Sequence, residues 1–135
     1  MGVTGLKVKK NFSNTTFDTI QINKILKKLK ERRIENVILE ASSHGLNQNR
    51  LDGLEFDIGI FTNFTRDHLD YHKTYKNYLN SKLILFKKLL KKKSYAIYDN
   101  DLKISSDLNK ITRINKIKKL TLGNIKSSFV IIDHQ

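Results

Sequence analysis

The sequence predicts an α/β domain with a mostly parallel sheet flanked by helices. Two observations support this class: helix-period and strand-type segments alternate along the chain, and a polar loop directly follows two of the strand-type segments. At 135 residues the chain is long enough for one domain with a sizeable core. Open α/β sheets bind ligands at the carboxyl ends of their strands, so these polar loops are the candidate site.

The first half of the chain predicts one helix between strand-type segments. Residues 1–10 suit an edge strand or a hairpin arm. Apolar residues recur every three to four positions over 19–33, with lysines between them, which predicts an amphipathic helix with a basic face. Residues 36–41 contain a Val-Ile-Leu run that predicts a short buried strand, and 42–50 follow it as a polar loop.

The second half continues the alternation. After a turn at 51–56, residues 57–61 predict a second buried strand and 63–72 a second polar loop, so two strands deliver polar loops to one edge of the sheet. The apolar stripe over 75–93 predicts a helix that ends in a lysine run. The remaining predicted elements are a strand at 95–98, a turn at 99–101, a short helix at 102–109, and strands at 120–122 and 129–132.

The chain is strongly basic. Lys+Arg number 26 against 13 Asp+Glu, for a formal net charge of +13. Such a balance is typical of proteins with anionic partners, but heavy use of Lys, Asn and Ile without Pro, Trp or Cys is also what an AT-rich genome produces. We favour the compositional explanation, because the basic residues do not alternate with the aromatic residues that single-strand binding requires.

Other classes of protein are excluded more directly. Without cysteine the chain has no disulfide, thiol nucleophile or thiolate metal site. No apolar run approaches the roughly 18 residues that a membrane span needs, and the amino terminus lacks a signal pattern. A soluble, cytoplasmic chain with no membrane partner is therefore expected.

Glu40 and His68 each lie just beyond a predicted strand. A carboxylate oxygen and an imidazole nitrogen can both bind Mg²⁺ or another divalent ion. A strand-end Glu can equally satisfy backbone groups or pair with Arg, and a single His is more often structural. Both interpretations stay open on these residues alone, although the neighbouring His72 favours a functional loop.

Lys82 differs from most lysines of the chain because it lies among Leu79, Leu83 and Phe86 in a predicted apolar helix. Its stem could snorkel along the apolar surface and leave a solvated ammonium. It could instead be a functional lysine that binds phosphate or is covalently modified. The residues alone favour snorkelling.

Three segments of the chain resemble the Mur ligases. They are Glu40-Ala41-Ser42-Ser43-His44-Gly45-Leu46, then Phe61-Thr62-Asn63 with Arg66-Asp67-His68-Leu69-Asp70-Tyr71-His72, then Ser81-Lys82-Leu83-Ile84-Leu85-Phe86. The family carries, in the same order, an E-[VA]-S-S-H-[GA]-L segment, a T-N-x-x-x-D-H-L-D-Y-H segment and a lysine on the next helix. The resemblance covers residues 10–90 and implies the central ATPase-type domain of that family.

The resemblance is closest to members that add the third amino acid of the peptide, and it implies an ATP-dependent ligation. A substrate carboxylate is phosphorylated, and an amine then displaces phosphate from the acyl phosphate. The implied reaction adds diaminopimelate or lysine to UDP-MurNAc-L-Ala-D-Glu in peptidoglycan synthesis, with ATP and Mg²⁺. Divalent cations and fixed positive groups stabilise the negative oxygens that this chemistry gathers.

The resemblance also implies roles for individual residues. Glu40 and His68 match Mg²⁺ ligands, and Lys82 matches a lysine that the family carbamylates, which reverses the preference for snorkelling. His68 and carbamylated Lys82 are thus the expected catalytic residues, and Asn63 matches a position near the nucleotide. The positions that match contacts to the UDP-MurNAc-dipeptide are Asn14, Thr15, Thr16, Ser42, Gln48 and Arg50.

Other parts of the family pattern are not found in the sequence. Nothing matches the phosphate loop GxxxxGK[ST], and no pattern of the uridine-binding or carboxyl-terminal domain is found. We therefore expect a partial central domain over 1–135, lacking its first strand and phosphate loop and inactive alone, because that loop normally binds ATP. Its expected partners are the UDP-MurNAc-dipeptide, an amino acid and the remaining segments of the same ligase.

An alternative from another class is a basic, non-enzymatic module that binds nucleic acid or an anionic surface. Its binding would depend on salt and not on sequence. Specific nucleic-acid recognition is not expected.

Overall fold

In the computed structural model the chain forms two compact units, Met1–Asp52 and Gly53–Gln135. The residues that the structure describes are 2–3, 10–11, 16–65, 68–123 and 126–130. Within those residues, the first unit contains two helices and a two-stranded antiparallel sheet, and the second contains helices and a four-stranded parallel sheet. The predicted α/β class with a parallel sheet is confirmed, and the parallel sheet lies in the second unit.

The first unit contains one long amphipathic helix. β1 (Gly2–Val3) lies inside the segment 1–10 that was predicted as an edge strand or hairpin arm, and it pairs antiparallel with β2 (Lys10–Asn11). α1 (Thr19–Glu31) confirms the predicted helix over 19–33 and ends slightly earlier than expected. Its N-cap is Asp18, whose carboxylate accepts a hydrogen bond of 2.8 Å from a first-turn backbone amide.

The predicted buried strand over 36–41 is wrong. The structure assigns no strand to this segment, and the Ile38 side chain is 98% exposed. Among the described residues both sheets are built from other segments, so no neighbouring strand supplies a hydrogen-bonded ladder for this run. The polar loop predicted over 42–50 is also partly helical, because α2 (Ser43–Asn47) lies within it.

The second unit is organised around its parallel sheet. Its strands are β3 (Phe56–Phe61), β4 (Leu90–Asp99), β5 (Lys118–Gly123) and β6 (Phe129–Val130). They lie in that order across the sheet, each parallel to its neighbours. The α-helices of this unit are α3 (Leu69–His72), α4 (Tyr75–Ile84) and α5 (Ser105–Ile114). Parallel pairing places the carboxyl ends of all four strands at one edge.

Most predicted strands of this unit are confirmed with longer bounds. The predicted strand over 57–61 is β3, but it is not buried on both faces, because Ile58 and Ile60 are 54% and 59% exposed while Phe61 is buried. Ile58 and Ile60 are two residues apart and so lie on the same face of β3, which is the exposed one. The strands predicted at 95–98 and 120–122 lie inside β4 and β5, and the helix predicted at 102–109 is displaced to α5. Of the strand predicted at 129–132, residues 129–130 form β6, and residues 131–132 lie outside the described residues.

The helix predicted over 75–93 ends earlier than expected. α4 passes into a π-helical turn, Leu85–Leu89, and β4 begins at Leu90, so the lysine run of 91–93 belongs to a strand. The pairing of β4 with β3 shifts between Phe56 and Ile58, and that irregularity accommodates the lysines. Leu and Lys occur in both helices and strands, so the sequence alone does not show where the helix ends and β4 begins. The pairing of β4 with β3 sets this boundary.

Large apolar side chains form the core of the second unit. Leu83, Phe86, Ala96, Tyr98 and Leu108 are each no more than 3% exposed. They come from the helices and from the central strand β4, so burial joins the helices to the sheet. In the part of the chain that the structure describes, no helix has the length and apolar character needed to cross a membrane.

Tyr98 gives this core a pH-dependent contribution to stability. Its hydroxyl donates a hydrogen bond to Asn109 Oδ1 at 3.0 Å. Burial raises the pKa of Tyr98 above its ordinary value of 10.0, against an opposing hydrogen bond with Thr112. The folded state therefore holds the phenolic proton more tightly than the unfolded state does. This contribution is fully present below the unfolded pKa and is lost as pH rises through the folded one.

We predict that Tyr98→Phe removes this alkaline loss of stability. The variant should lose about 1 kcal/mol at neutral pH because its hydroxyl bond is gone. Above about pH 10, however, its free energy of unfolding should fall less steeply than that of the wild type. Urea denaturation at a series of pH values measures both slopes, and parallel curves would contradict the assignment.

Candidate functional site

Thr16 is a hydrogen-bonding centre of the first unit. Its side chain is 2% exposed, and its hydroxyl donates to the Glu40 carbonyl at 3.1 Å. The same oxygen accepts from the Ser42 amide at 3.0 Å and lies 2.8 Å from the Ser42 hydroxyl. One buried hydroxyl thereby ties the start of the described segment to residues 40–42.

Ser42 links Thr16 to α2, because Ser42 is the N-cap of that helix. The Ser42 hydroxyl accepts a hydrogen bond from the Gly45 amide at 3.1 Å. Gly45 is required for the approach of Thr16, because a Cβ at that position would lie 2.7 Å from two carbon atoms of the Thr16 side chain. The Ser-x-x-Gly spacing in the sequence is therefore a helix cap packed against a threonine.

Arg50 joins the same cluster. One guanidinium nitrogen donates to the Thr16 carbonyl at 2.7 Å, and two others donate to Gln48 Oε1 at 2.9 and 2.6 Å. Both acceptors are neutral, so these bonds fix the orientation of the guanidinium group without neutralising its positive charge. The structure thus brings together Thr16, Ser42, Gln48 and Arg50, while the predicted residues Asn14 and Thr15 lie outside the described residues.

The predicted site residues are divided between the two units. Glu40 belongs to the first unit, where its side chain is exposed and its carbonyl accepts from Thr16. Asn63, His68 and Lys82 belong to the second unit.

Lys82 is held at the carboxyl end of β3. Its ammonium donates to the Asn63 carbonyl at 3.2 Å. The same nitrogen lies 5.5 Å from the ring centroid of Phe61 and 5.4 Å from that of Tyr78, within the range of cation–π attraction. Lys82 is half-buried, so it does not simply extend along the surface into solvent. A lysine of α4 is thereby positioned beside the loop that leaves β3.

His68 approaches the same tyrosine. Its ring meets Tyr78 edge-on at a centroid distance of 5.9 Å. The His68 backbone has φ 55, a left-handed conformation that is uncommon outside glycine and costs about 1 kcal/mol or more. The chain thus adopts an unfavourable conformation where α3 begins, with the imidazole near Tyr78. The preceding residues of the motif, 66–67, lie outside the described residues.

Tyr78 and Phe64 are site residues that the sequence analysis missed. Phe64 lies in the loop after β3, with centroid distances of 4.3 Å to Tyr75 and 4.9 Å to Tyr78. Tyr78 is 3% exposed and contacts both His68 and Lys82. Its position four residues before Lys82 on one helix was the available signal, because residues so spaced share a helix face.

His72 is buried behind this arrangement. Its Nδ1 lies 3.4 Å from the Ser81 hydroxyl, which itself donates to the Asn77 carbonyl at 2.8 Å. The Asn77 side-chain amide donates in turn to the His72 carbonyl at 3.2 Å. The His72 ring also packs 5.3 Å from the Tyr78 ring. These bonds connect α3 to the helix that carries Lys82.

The described residues contain no group of three or more His, Cys, Asp or Glu side chains that could hold a metal ion. An ion bound by this part of the chain would therefore have few such ligands. Mg²⁺ can bind with few protein ligands, because it usually keeps several waters and binds through one or two carboxylates and substrate phosphates.

Comparisons with known proteins identify the family of the chain. Residues 1–132 match the Mur ligase middle domain. The chain is 39% identical over 118 residues to the UDP-N-acetylmuramoyl-L-alanyl-D-glutamate--L-lysine ligase of Staphylococcus haemolyticus, covering 83% of this chain and 24% of that protein. It is 40% identical over 118 residues to the corresponding 2,6-diaminopimelate ligase of Chelativorans sp., covering 87% of this chain and 24% of that protein.

A solved structure of a UDP-N-acetylmuramoyl-L-alanyl-D-glutamate--2,6-diaminopimelate ligase is also similar. It superimposes with a TM-score of 0.79 at 31% identity, over 96% of this chain and 28% of that one. The chain belongs to the Mur ligase family, whose members are ATP-dependent, and it matches the middle domain. It spans about a quarter of the length of the curated relatives described above.

We predict that Thr16 stabilises the first unit through its hydroxyl. Thr16→Val keeps the shape but leaves the Ser42 amide and hydroxyl without this partner, which should cost about 2 kcal/mol of stability. Thr16→Ser keeps the hydroxyl and should cost clearly less. Thermal unfolding of both variants measures the difference. Equal losses would show that packing of the methyl group, and not the hydrogen bonds, carries the effect.

Proposed function

We propose that this chain forms the middle-domain part of an ATP-dependent ligase that adds the third amino acid to UDP-MurNAc-L-Ala-D-Glu. The observation that carries the proposal is similarity at 39–40% identity to two ligases whose names share that acceptor and differ in the amino acid, lysine or diaminopimelate. Because both relatives are similarly close, the proposal leaves the amino acid as one of these two.

The proposed reaction makes an amide in two steps. The substrate carboxylate attacks the γ-phosphorus of ATP, so that an O–P bond forms and ADP leaves. The amine of the amino acid then attacks the acyl phosphate, a C–N bond forms, and phosphate departs with the C–O electron pair. Both steps gather negative oxygens in one place, and fixed cations stabilise their transition states.

Mg²⁺ would supply charge neutralisation at the phosphates. In the second unit His68 is proposed as one ligand, and oxygen atoms of carbamylated Lys82 as another. Both side chains contact Tyr78, which supports a shared role, and the resulting nitrogen and oxygen donors fit an ion that keeps much of its water. Glu40 is proposed as a further ligand on the motif resemblance alone.

Lys82 is proposed to act as a carbamate. Its neutral amine attacks carbon dioxide, an N–C bond forms, and one amine proton is released, which changes a cation into an anion. The ammonium form is attracted to the Phe61 and Tyr78 rings, whereas an anion is repelled by ring faces. Carbamylation would therefore move the end of this side chain away from the rings.

The cluster of the first unit is proposed to bind the UDP-MurNAc-dipeptide. Arg50 supports this role best, because its guanidinium is oriented by Gln48 and the Thr16 carbonyl and remains positively charged. Thr16 and Ser42 then position the binding segment, and Asn14 and Thr15 are proposed contacts on the motif resemblance. Asn63 is proposed to lie near the nucleotide, since its exposed side chain follows β3.

We predict that Lys82 can be carbamylated in the isolated chain. With ¹³C-bicarbonate at about pH 8.5, where more amine is neutral, carbon NMR should show a carbamate signal that Mg²⁺ increases. Lys82→Arg keeps the positive charge but cannot give this signal. Lys76→Arg, on the exposed first turn of the same helix, is the matched control and should retain it. A signal that persists in Lys82→Arg would contradict the assignment.

We also predict that the chain can supply middle-domain function to a relative. The matched part of this chain, 83% of its length, would replace the corresponding segment of the Staphylococcus haemolyticus ligase. The graft should release phosphate only when ATP, lysine and UDP-MurNAc-L-Ala-D-Glu are all present. Lys82→Ala in the graft should lower kcat by about 100-fold or more, and excess bicarbonate should not restore it. A graft that unfolds cooperatively but never turns over would contradict the proposed function.

A further inference from the structure

The amino-terminal edge of the parallel sheet carries a dense group of cations. Two segments that lead into β4 and β5, 87–93 and 113–119, contain no acidic residue. Every basic side chain in them is exposed. We call these residues the basic edge: Lys87, Lys88, Lys91, Lys92, Lys93, Arg113, Lys116, Lys118 and Lys119.

Hydrogen bonds hold the two segments of the basic edge together. The Asn115 side-chain amide donates to the carbonyls of Phe86 and Lys87, both at 3.2 Å. The Lys93 amide donates to the Lys116 carbonyl at 3.0 Å. Cations that are distant in sequence are therefore concentrated on one rigid surface.

The contacts within the basic edge leave most of its charge uncompensated. Lys91 pairs with Asp57 at 3.0 Å, but this is an exposed pair that contributes little. Lys119 donates to the neutral Asn109 side chain at 2.7 Å. Lys118 lies 5.1 Å from the centroid of the Tyr95 ring and also meets a neutral partner.

The proposed ligase reaction does not use these cations. That reaction belongs to the opposite edge, where the strands end and where Lys82 lies. At that opposite edge β4 ends in Asp99, and Asp101 follows it. The basic edge is therefore available to a separate anionic partner. A partner at this edge does not depend on the ligase proposal.

Ile114 indicates which anionic partner fits. It is 64% exposed, although it is a large apolar residue in a cationic surface, directly after Arg113 and near Lys116. An apolar side chain among cations can enter the headgroup region of a lipid surface while the cations meet its negative charge. Single-stranded nucleic acid would instead require exposed aromatic platforms, and the Tyr95 ring is covered by Lys118.

We propose that the basic edge binds the anionic headgroups of a lipid surface, with Ile114 entering the interface. The contact is peripheral, so it differs from the membrane span that the sequence excludes. Each lysine near such a surface strengthens binding by about fivefold, so several acting together give a measurable partition coefficient.

Vesicle sedimentation with the whole chain tests the proposal. Vesicles of phosphatidylcholine with about one-third phosphatidylglycerol should bind the chain at about 0.1 M salt, and pure phosphatidylcholine should not. The combined variant Lys87→Gln, Lys88→Gln, Lys92→Gln and Lys116→Asn should reduce binding by about 100-fold or more. Asn at position 116 suits the left-handed backbone, φ 55, found there.

The matched control neutralises four exposed lysines of α1, Lys24, Lys27, Lys28 and Lys30, as glutamines. It removes the same charge from the other unit, so its binding should fall by much less. Equal losses in the two variants would overturn the proposal, because net charge and not the basic edge would then explain binding. Absence of binding to anionic vesicles would overturn it as well.

Ile114→Ser separates lipid from nucleic acid as the partner. Insertion predicts that this single change weakens vesicle binding by about tenfold, from the loss of buried apolar area. Binding to a single-stranded oligonucleotide should be weaker than vesicle binding at the same salt. Tighter binding to the oligonucleotide, unaffected by Ile114→Ser, would overturn the proposal in favour of a nucleic-acid surface.

Discussion

The contact of the Lys82 ammonium with two aromatic rings and a carbonyl is the interaction on which the candidate site of the second unit depends. It fixes a polar group of α4 against the end of β3, where Asn63 supplies the carbonyl and Phe61 and Tyr78 the rings. A cation is suited to that position, because ring faces and carbonyl oxygens both carry partial negative charge. The geometry is therefore that of the uncarbamylated side chain, and the proposed anionic form would require a different position. Tyr78 contacts both Lys82 and His68.

The sequence predicted those features that depend on local pattern. Periodicity located α1, and a short apolar run located β3, because both signals come from residues close in sequence. The strand predicted over 36–41 failed because a strand also needs a neighbour, and β propensity does not say whether one is present. The lysines of 91–93 were assigned to a helix for the related reason that β4 is defined by the pairing of Leu90 and Tyr95, on either side of them, with β3.

The candidate site was predicted through its motifs, and its supporting contacts were not. Thr16, Ser42, Gln48 and Arg50 were predicted as substrate contacts, and the structure shows that they bond to one another. Tyr78 was missed because an aromatic residue on an apolar helix face is normally core, and only its contacts reveal two polar neighbours. The surface charge was assigned to composition, yet folding concentrates it: the basic edge gathers cations from two segments at the edge opposite to Lys82. The two edges of one sheet thus differ in charge. The proposed ligation uses the edge at the carboxyl ends of the strands, and the basic edge lies at their amino ends.

The ring-current shift of the Lys82 ε-methylene protons tests the central claim most directly. Protons above aromatic rings resonate upfield of those in solvent, so the signals that disappear in Lys82→Arg should lie upfield of the remaining lysine signals. Tyr78→Leu should move the Lys82 signals back toward the position of the exposed lysines while the chain stays folded. Lys82 signals that already coincide with those of exposed lysines in the wild type would contradict the account, because Lys82 would then not lie against the rings at the end of β3.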